Sequence, residues 1–415
     1  MNRILWIILI VCNSVWANET GQSFDSDARK LLAGHYKQYK DDEYFSGISL
    51  SVLIPKQPIK NYYIGRVSHE TDSEEISAQT LFQIGSITKS FTAAVVLQLA
   101  TAGKLTLNDT LETWLPQYKK WSDVTLKQLL NMTSGLPNYS DTPLWNVEEA
   151  KMPTHSWRNE ELISYVYPSA TFSPPLKTGY FYSNTGYLLS DMIVEKAMHN
   201  PFANELQTKT IKRAGLENTF YPIPALDAAT AKRMAHGYSY NQYDNPSLLG
   251  KDLSDNNLSW AAAAGALVSN SEDIIRWVNA LFISNDILNS SEKAQLMSLV
   301  STQTGKPIAT LTSTDTHGFG LGVAQAFDDN KLLGHYWFYE GQTLGFRALY
   351  MYVPCNKIII SAVFNSSTNA ENDKAGDLMQ AVYKLILNQR PDLSCKKAWA
   401  MEAGSFLRRQ ESGFA

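Results

Sequence analysis

The stretch Phe82-Gln83-Ile84-Gly85-Ser86-Ile87-Thr88-Lys89-Ser90-Phe91-Thr92-Ala93-Ala94-Val95-Val96-Leu97-Gln98-Leu99 decides how this chain is read. Residues 82–84 are short and extended. Ser86 opens a helix that the pattern predicts over 90–102 and that Gly103 stops. Phe91, Ala94, Val95, Val96, Leu97 and Leu99 cover nearly its whole circumference, and a helix apolar all round is buried. Ser86 therefore sits at the mouth of a core helix. Helical positions i and i+3 share a face, so the Ser86 hydroxyl and the Lys89 amine can meet. A serine hydroxyl is a weak nucleophile until a base takes its proton. Lysine serves as that base when burial disfavours its charged form. The helix start also places the Ser86 N–H where a developing oxyanion can use it.

Ser-x-x-Lys alone is a cheap pattern. Ser290/Lys293 and Ser394/Lys397 repeat it, but Ser290 reads as the cap of a surface helix and Ser394 lies beside the tail. A second constellation is Tyr182-Ser183-Asn184. A tyrosine near a serine–lysine pair can relay protons to a leaving group, and an asparagine can hold a substrate amide with both donor and acceptor. Tyr243-Asp244-Asn245 has the same pattern in a polar stretch and reads as a turn. The third is Tyr339-Glu340-Gly341-Gln342-Thr343-Leu344-Gly345-Phe346-Arg347, entering a strand. Glycines let an edge strand approach a ligand, along which an extended substrate can pair and from which a second oxyanion N–H can come.

Strand patterns fall at both ends of the chain: 47–54 and 62–67 as a hairpin, then 318–326, 345–353 and 357–365. Helices are read around 28–39, over 126–132, 188–197, 272–282 (with Ser271 as N-cap) and 373–388. The fold expected is α/β (α+β): one antiparallel sheet flanked by helices and built from residues 18–104 and 261–390, with a mainly helical domain over 105–260 inserted between. Residues 391–415 read as a disordered tail.

Composition is ordinary and globular, with 44% hydrophobic residues and a net charge of -4. Nothing asks for nucleic acid. Met1-Asn2-Arg3, an apolar run over 4–12 and Val15-Trp16-Ala17 read as a signal peptide cut after Ala17, too short to span a bilayer. Export to the periplasm or medium follows as an expectation, and no stable membrane span is expected. Cys355 and Cys395 then remain, as a disulfide or as two thiols. The seven histidines are scattered without metal-ligand spacing, so no metal or other cofactor is expected. No Gly-x-Ser-x-Gly elbow is present.

Six motifs occur in order: Phe82-x-Ile-Gly-Ser86-x-Thr-Lys89, Leu129-Leu-Asn-Met-Thr-Ser-Gly-Leu-Pro137, Tyr182-Ser-Asn184, Gly215-Leu-Glu-Asn-Thr-Phe220, Ala263-Ala-Gly-Ala-Leu-Val-Ser269 and Gly341-x-x-x-Gly345-Phe346. Over roughly residues 30–390 the chain resembles the serine β-lactamase-related family, which includes class C β-lactamases, D-alanyl-D-alanine carboxypeptidases and related esterases. The resemblance implies a sheet flanked by helices plus an all-helical domain. It implies Ser86 as the acylated nucleophile, Lys89 as general base and Tyr182 as proton relay. Asn184 would orient the substrate amide, and the N–H groups of Ser86 and Gln342 would form the oxyanion hole.

One departure matters. The family's third motif is usually Lys or His, then Thr or Ser, then Gly; here it is Tyr339-Glu340-Gly341. Tyr339 cannot supply the positive charge that meets a substrate carboxylate, and Glu340 opposes one if it points inward. Arg347 either compensates or is a solvated strand residue. The expectation is a monomeric serine hydrolase working through an acyl-enzyme on a small-molecule or peptide acyl substrate, of the D-alanyl-D-alanine carboxypeptidase or D-aminoacyl peptidase kind. The alternatives are an esterase, a class C-like β-lactamase, or an idle muropeptide- or penicillin-binding protein. Retention of Ser86, Lys89, Tyr182 and Asn184 favours an enzyme.

Overall fold

The computed structural model describes residues 20–171, 173–242, 246–328 and 332–395. The signal peptide read over residues 1–17, the turn read at Tyr243-Asp244-Asn245 and the tail from residue 396 onward lie outside the described residues.

The chain opens with α1 (Thr20–Tyr39) and the hairpin β1 (Gly47–Leu53) and β2 (Lys60–Gly65). Then β3 (Phe82–Gln83) and a 3-10 turn over Gly85–Ile87 run straight into α2 (Thr88–Thr101). The middle of the chain holds α3 (Leu111–Trp114), α4 (Leu126–Leu130), α5 (Pro143–Lys151), α6 (Asn159–Ser164), α7 (Thr185–Met198), α8 (Phe202–Leu206), α9 (Ala228–Ala231) and β4 (Tyr238–Tyr240). It is followed by α10 (Ala262–Gly265), β5 (Val268–Ser269), α11 (Ser271–Phe282) and α12 (Ser290–Leu296). Strands β6 (Leu299–Ser301), β7 (Pro307–Ile308), β8 (His317–Phe319), β9 (Ala324–Asp328), β10 (Gly334–Gln342), β11 (Arg347–Val353), β12 (Ile358–Phe364) and β13 (Ser366–Thr368) lead to α13 (Ala375–Gln389).

Nine strands form one antiparallel sheet in the order β2-β1-β12-β11-β10-β9-β8-β6-β7. The central join pairs β1 with β12, Ile48 opposite Phe364 and Leu50 opposite Ala362, so both parts of the chain build one sheet. Alternation along each strand splits the side chains between two cores. Trp337, Tyr339, Ala348 and Tyr350 face the core that contains α2 and α11. Met351, Val353, Ile360 and Phe364 face a second core under α1 and α13. The strand β4 joins β13 in a small parallel pair instead of the main sheet.

Local chemistry explains the element ends. At α4, the Thr125 hydroxyl accepts from the Gln128 N–H at 3.3 Å while the Gln128 carboxamide accepts from the Thr125 N–H at 2.9 Å, a reciprocal cap. The cap of α11 is Asn270, not Ser271 as the sequence suggested: its side chain accepts from the Asp273 N–H at 2.8 Å. Ser271 lies one residue inside, where its hydroxyl bonds those of Ser49 and Ser51. Likewise Asn289, not Ser290, caps α12, and Lys293 reaches Asn285 Oδ1 at 3.0 Å and the Ser284 carbonyl. The single strand expected over 318–326 is two, β8 and β9, joined by a turn that Gly320 N closes on Val323 O at 2.8 Å. The sequence shows no period of two over β10, because aromatic residues occupy both its faces.

Cys355 and Cys395 are bonded, with Cα atoms 5.6 Å apart. The bridge ties the β11–β12 turn to the segment after α13. Residues 391–395, read as the start of the tail, carry a 3-10 turn at Pro391–Leu393 and that bridge. No helix among the described residues is long and apolar enough to cross a membrane.

Candidate active site

The nucleophile candidate sits where two backbones touch. Gly85 has φ +49°, and a Cβ there would lie 2.7 Å from Gln342 N. A Cβ on Gly341 would lie 2.9 Å from Ser86 N and collide with the Ile84 carbonyl. Only glycine at both positions allows the turn before α2 to press against the end of β10. That contact brings the N–H groups of Ser86 and Gln342 onto one face. Thr343 N donates to Phe346 O at 3.0 Å, which makes 343 and 346 a hydrogen-bonded pair. By antiparallel alternation Gln342 and Arg347 are a non-hydrogen-bonded pair, so the Gln342 N–H points away from β11, toward Ser86. Beyond Phe338, β10 has no β9 partner, and Tyr339 to Gln342 form a short free edge.

Lys89 Nζ lies 2.8 Å from Ser86 Oγ, and it donates to the Ala264 carbonyl at 2.8 Å. Lys89 is fully buried. Helix α10 holds it there: Thr92 Oγ1 donates to Ala263 O at 2.7 Å and Leu267 N donates to Thr88 Oγ1 at 3.1 Å. The amine stands 4.8 Å from the centre of the Tyr182 ring and 5.3 Å from that of Tyr187. Ring faces attract an ammonium by up to about 2 kcal/mol, but dehydrating an ion costs several kcal/mol. Burial wins and drives the Lys89 pKa well below its ordinary value. That shift favours the free amine, the form that can accept a proton.

Tyr182 comes from the loop before α7, and its hydroxyl lies 2.5 Å from Ser86 Oγ. The residue is 38% exposed, so it faces the cleft and is not a packed core tyrosine. Burial around its hydroxyl pushes its pKa up to about 12, against the lowering effect of the Ser86 hydrogen bond. It keeps its proton at ordinary pH. Asn184, two residues on, accepts nothing at Oδ1, which is buried without a partner, while Nδ2 donates to Ser140 Oγ at 3.0 Å. Its backbone N–H donates to Asn138 Oδ1 at 2.9 Å.

Tyr339 is buried on the α2 side of the sheet, packed against Phe319 with ring centres 5.9 Å apart. Its hydroxyl makes no well-aligned hydrogen bond and is coupled electrostatically to that of Tyr182. Burial holds it neutral. The structure thus brings Ser86, Lys89, Tyr182, Asn184, Tyr339, Gly341 and Gln342 to one cleft of about 1280 Å³ or directly beneath it.

Two readings of the third motif are overturned. Arg347 is neither solvated nor in the site. It is fully buried, 2.7 Å from Glu43 and 2.9 Å from Asp373, under α1 and α13. Glu340 does not oppose a ligand at Ser86. It follows Tyr339 in the strand, so the period of two sends it to the opposite sheet face, beside Asp373. Burial and the neighbouring Asp373 raise its pKa to about 7. Sequence reasoning gave no role to Ala264, Asn138, Ser140 and Tyr187. Ala264 lies inside a motif already singled out, Asn138 directly follows another and Ser140 lies two residues further on, which is the signal that could have found them.

A profile of the Beta-lactamase family matches residues 32–384. The chain belongs to that family. It is a serine hydrolase of the β-lactamase and penicillin-binding-protein type. It is 26% identical over 352 residues to penicillin-binding protein 4* of Bacillus subtilis, covering 81% of this chain and 73% of that protein. It is also 26% identical over 247 residues to a β-lactamase of Providencia stuartii, covering 58% of this chain and 57% of that one. Among solved structures, the D-amino acid amidase of Ochrobactrum anthropi SV3 superimposes with a TM-score of 0.72 at 22% identity, over 89% of this chain and 99% of the amidase. An octameric penicillin-binding-protein homologue from Pyrococcus abyssi has a TM-score of 0.68 at 22% identity, over 87% of this chain and 77% of that one. At these identities the structural likenesses establish the shared fold alone.

Proposed function

We propose that the protein cleaves amide or ester bonds through an acyl-enzyme on Ser86, and that its substrates are D-aminoacyl amides or peptides. The observation that carries this reading is the 2.8 Å and 2.5 Å approach of Lys89 and Tyr182 to one hydroxyl. Lys89, free of its proton, takes that of Ser86, and Oγ attacks the acyl carbon. The N–H groups of Ser86 and Gln342 meet the oxyanion. On collapse the bond to the leaving group breaks, and that group takes a proton through the Tyr182 hydroxyl. Water then attacks the ester carbon, gives its proton back along the same route, and releases the acid with Ser86 restored. The unpartnered Oδ1 of Asn184 accepts an N–H from the substrate's acyl portion.

The name of the structurally similar D-amino acid amidase motivates the D-aminoacyl choice. The neutral Tyr339 in place of a cation supports it too. Esterase activity is the second reading, since a cleft without a lysine or arginine in its lining accepts uncharged esters as well. The signal-like start and the Cys355–Cys395 bridge support a place outside the cytoplasm. We take the working form to be a monomer, which sedimentation would test directly against an octamer like that of the Pyrococcus abyssi homologue.

The deciding experiment is intact mass after incubation with a fluorescent penicillin and, separately, a fluorophosphonate, with peptide mapping. A Ser86 adduct with either is expected. A fluorophosphonate adduct without a penicillin adduct points to the esterase. No adduct with either, and none restored at high pH, leaves only an idle binder and overturns the proposal.

A further inference from the structure

Four hydroxyls of residues lining the cleft are buried without partners: the phenols of Tyr339 and Tyr350 on the sheet, and Thr343 Oγ1 and Thr368 Oγ1, on residues 5% and 1% exposed, at the loop end of β10 and on β13. Thr343 follows Gln342 at the end of β10, and Thr368 closes β13. Both backbones are tethered. The Ser367 hydroxyl donates to Leu344 O at 2.8 Å, which clamps β13 to the turn after β10. Asn241 Nδ2 donates to Thr368 O at 3.3 Å from the other side. Buried hydroxyls nearly always find partners, so the two threonine hydroxyls, on segments clamped together beside Gln342, call for an explanation, and a ligand that supplies the missing partners is one.

The charges around the cleft say what kind of ligand. On the Ser86 side of the sheet the lining includes Asp141 and, among the described residues, no lysine or arginine; Glu340 and Asp373 lie across the sheet, with Asp373 paired to Arg347. Lys89 lies behind Ser86 and Arg347 is locked between Glu43 and Asp373 on the other sheet face. A carboxylate entering here meets Asp141 and no cation. Two hydroxyls can serve a carboxamide, one donating to its oxygen and one accepting from its N–H, whereas donating both to a carboxylate would leave that charge without a counter-ion.

We infer that Thr343 and Thr368 form a specificity subsite for an uncharged amide group of the substrate, and that the cleft selects against a free carboxylate at that place. This rests on the acyl-transfer reading above and narrows it, since a terminal carboxamide or a continuing peptide is preferred to a free C-terminus.

The test is a matched pair of N-acetylated D-alanyl-D-alanine peptides, one ending in a carboxamide and one in a carboxylate, with cleavage followed by mass spectrometry. The carboxamide is expected to be favoured in kcat/KM by about tenfold or more, as for sites whose polar groups need a matching partner. The double substitution Thr343→Val and Thr368→Val should bring the ratio near one by slowing the carboxamide alone. Its Tm should equal or exceed that of the parent, since no hydrogen bond is lost. Preference for the carboxylate, an unchanged ratio in the valine variant, or a Tm lowered by many degrees would each overturn the inference. If neither peptide is cleaved, both are read as competitors of fluorophosphonate labelling, and equal protection overturns it as well. A chain that takes no label at Ser86 in any assay fails the acyl-transfer reading instead, so the two failures are distinct.

Discussion

Gly341 rests directly on the carbonyl of Ile84, with no room for a methyl group between strand and turn. Through this contact the Gln342 N–H is delivered to Ser86. Gly341→Ala is expected to lower kcat by about 10²–10³-fold, the loss seen when one oxyanion donor is removed. KM should change far less. Single-turnover acylation measures this, and a variant with unchanged kcat would show that the Gln342 N–H takes no part.

Lys89→Met should abolish acylation, by about 10²–10⁴-fold for loss of a general base. The fold should survive. The native pKa of Lys89 lies below its unfolded value, so between the two the folded chain binds fewer protons and stability rises with pH. Between those two pKa values folding must therefore strip a proton from this residue, a cost that methionine avoids. Against that stands the orphaned Ala264 carbonyl, worth about 1–3 kcal/mol. Urea melts should show near-balance, while unchanged turnover would remove Lys89 from the mechanism.

The pH profile separates the two proton carriers. Activity needs Lys89 unprotonated, so kcat/KM should climb with pH through that residue's depressed pKa and then level off. Tyr182 ionises only at about 12, so no alkaline fall is expected at ordinary pH. Tyr182→Phe should lower the plateau by about 10²-fold or more and leave the acid limb in place. An acid limb that moved with the phenylalanine would assign it to the tyrosine network and not to the lysine.

Arg347→Leu tests the correction to the third motif. Its guanidinium is the buried counter-ion of Glu43 and Asp373. Removing it should cost about 3–5 kcal/mol of stability, as when one partner of a buried pair is lost. KM for a carboxylate substrate should stay near the parent value. A raised KM with intact stability would return Arg347 to the substrate.

The sheet built from both parts of the chain, the buried helix α2 and the meeting of Ser86 with Lys89 were legible in the residues alone. Each depends on local periodicity: 3.6 per turn puts i and i+3 together wherever the helix lies, and apolar residues all round that helix demand a core. The cap residues were off by one because serine and asparagine serve equally well and packing chooses between them. The strand β10 was hidden because both of its faces are covered.

What only the tertiary structure decided is which distant groups meet the serine. Tyr182 is 96 residues from Ser86, and only the docking of the α7 segment on α2 sets that contact. Arg347 and Glu340 stand beside the site in the sequence yet lie across the sheet from it, because pleating sends adjacent residues to opposite faces and register determines which face is the cleft. Spacing along a chain specifies neighbours within one element. Charge placement and the direction of a free N–H depend on how elements are paired, which no single segment encodes.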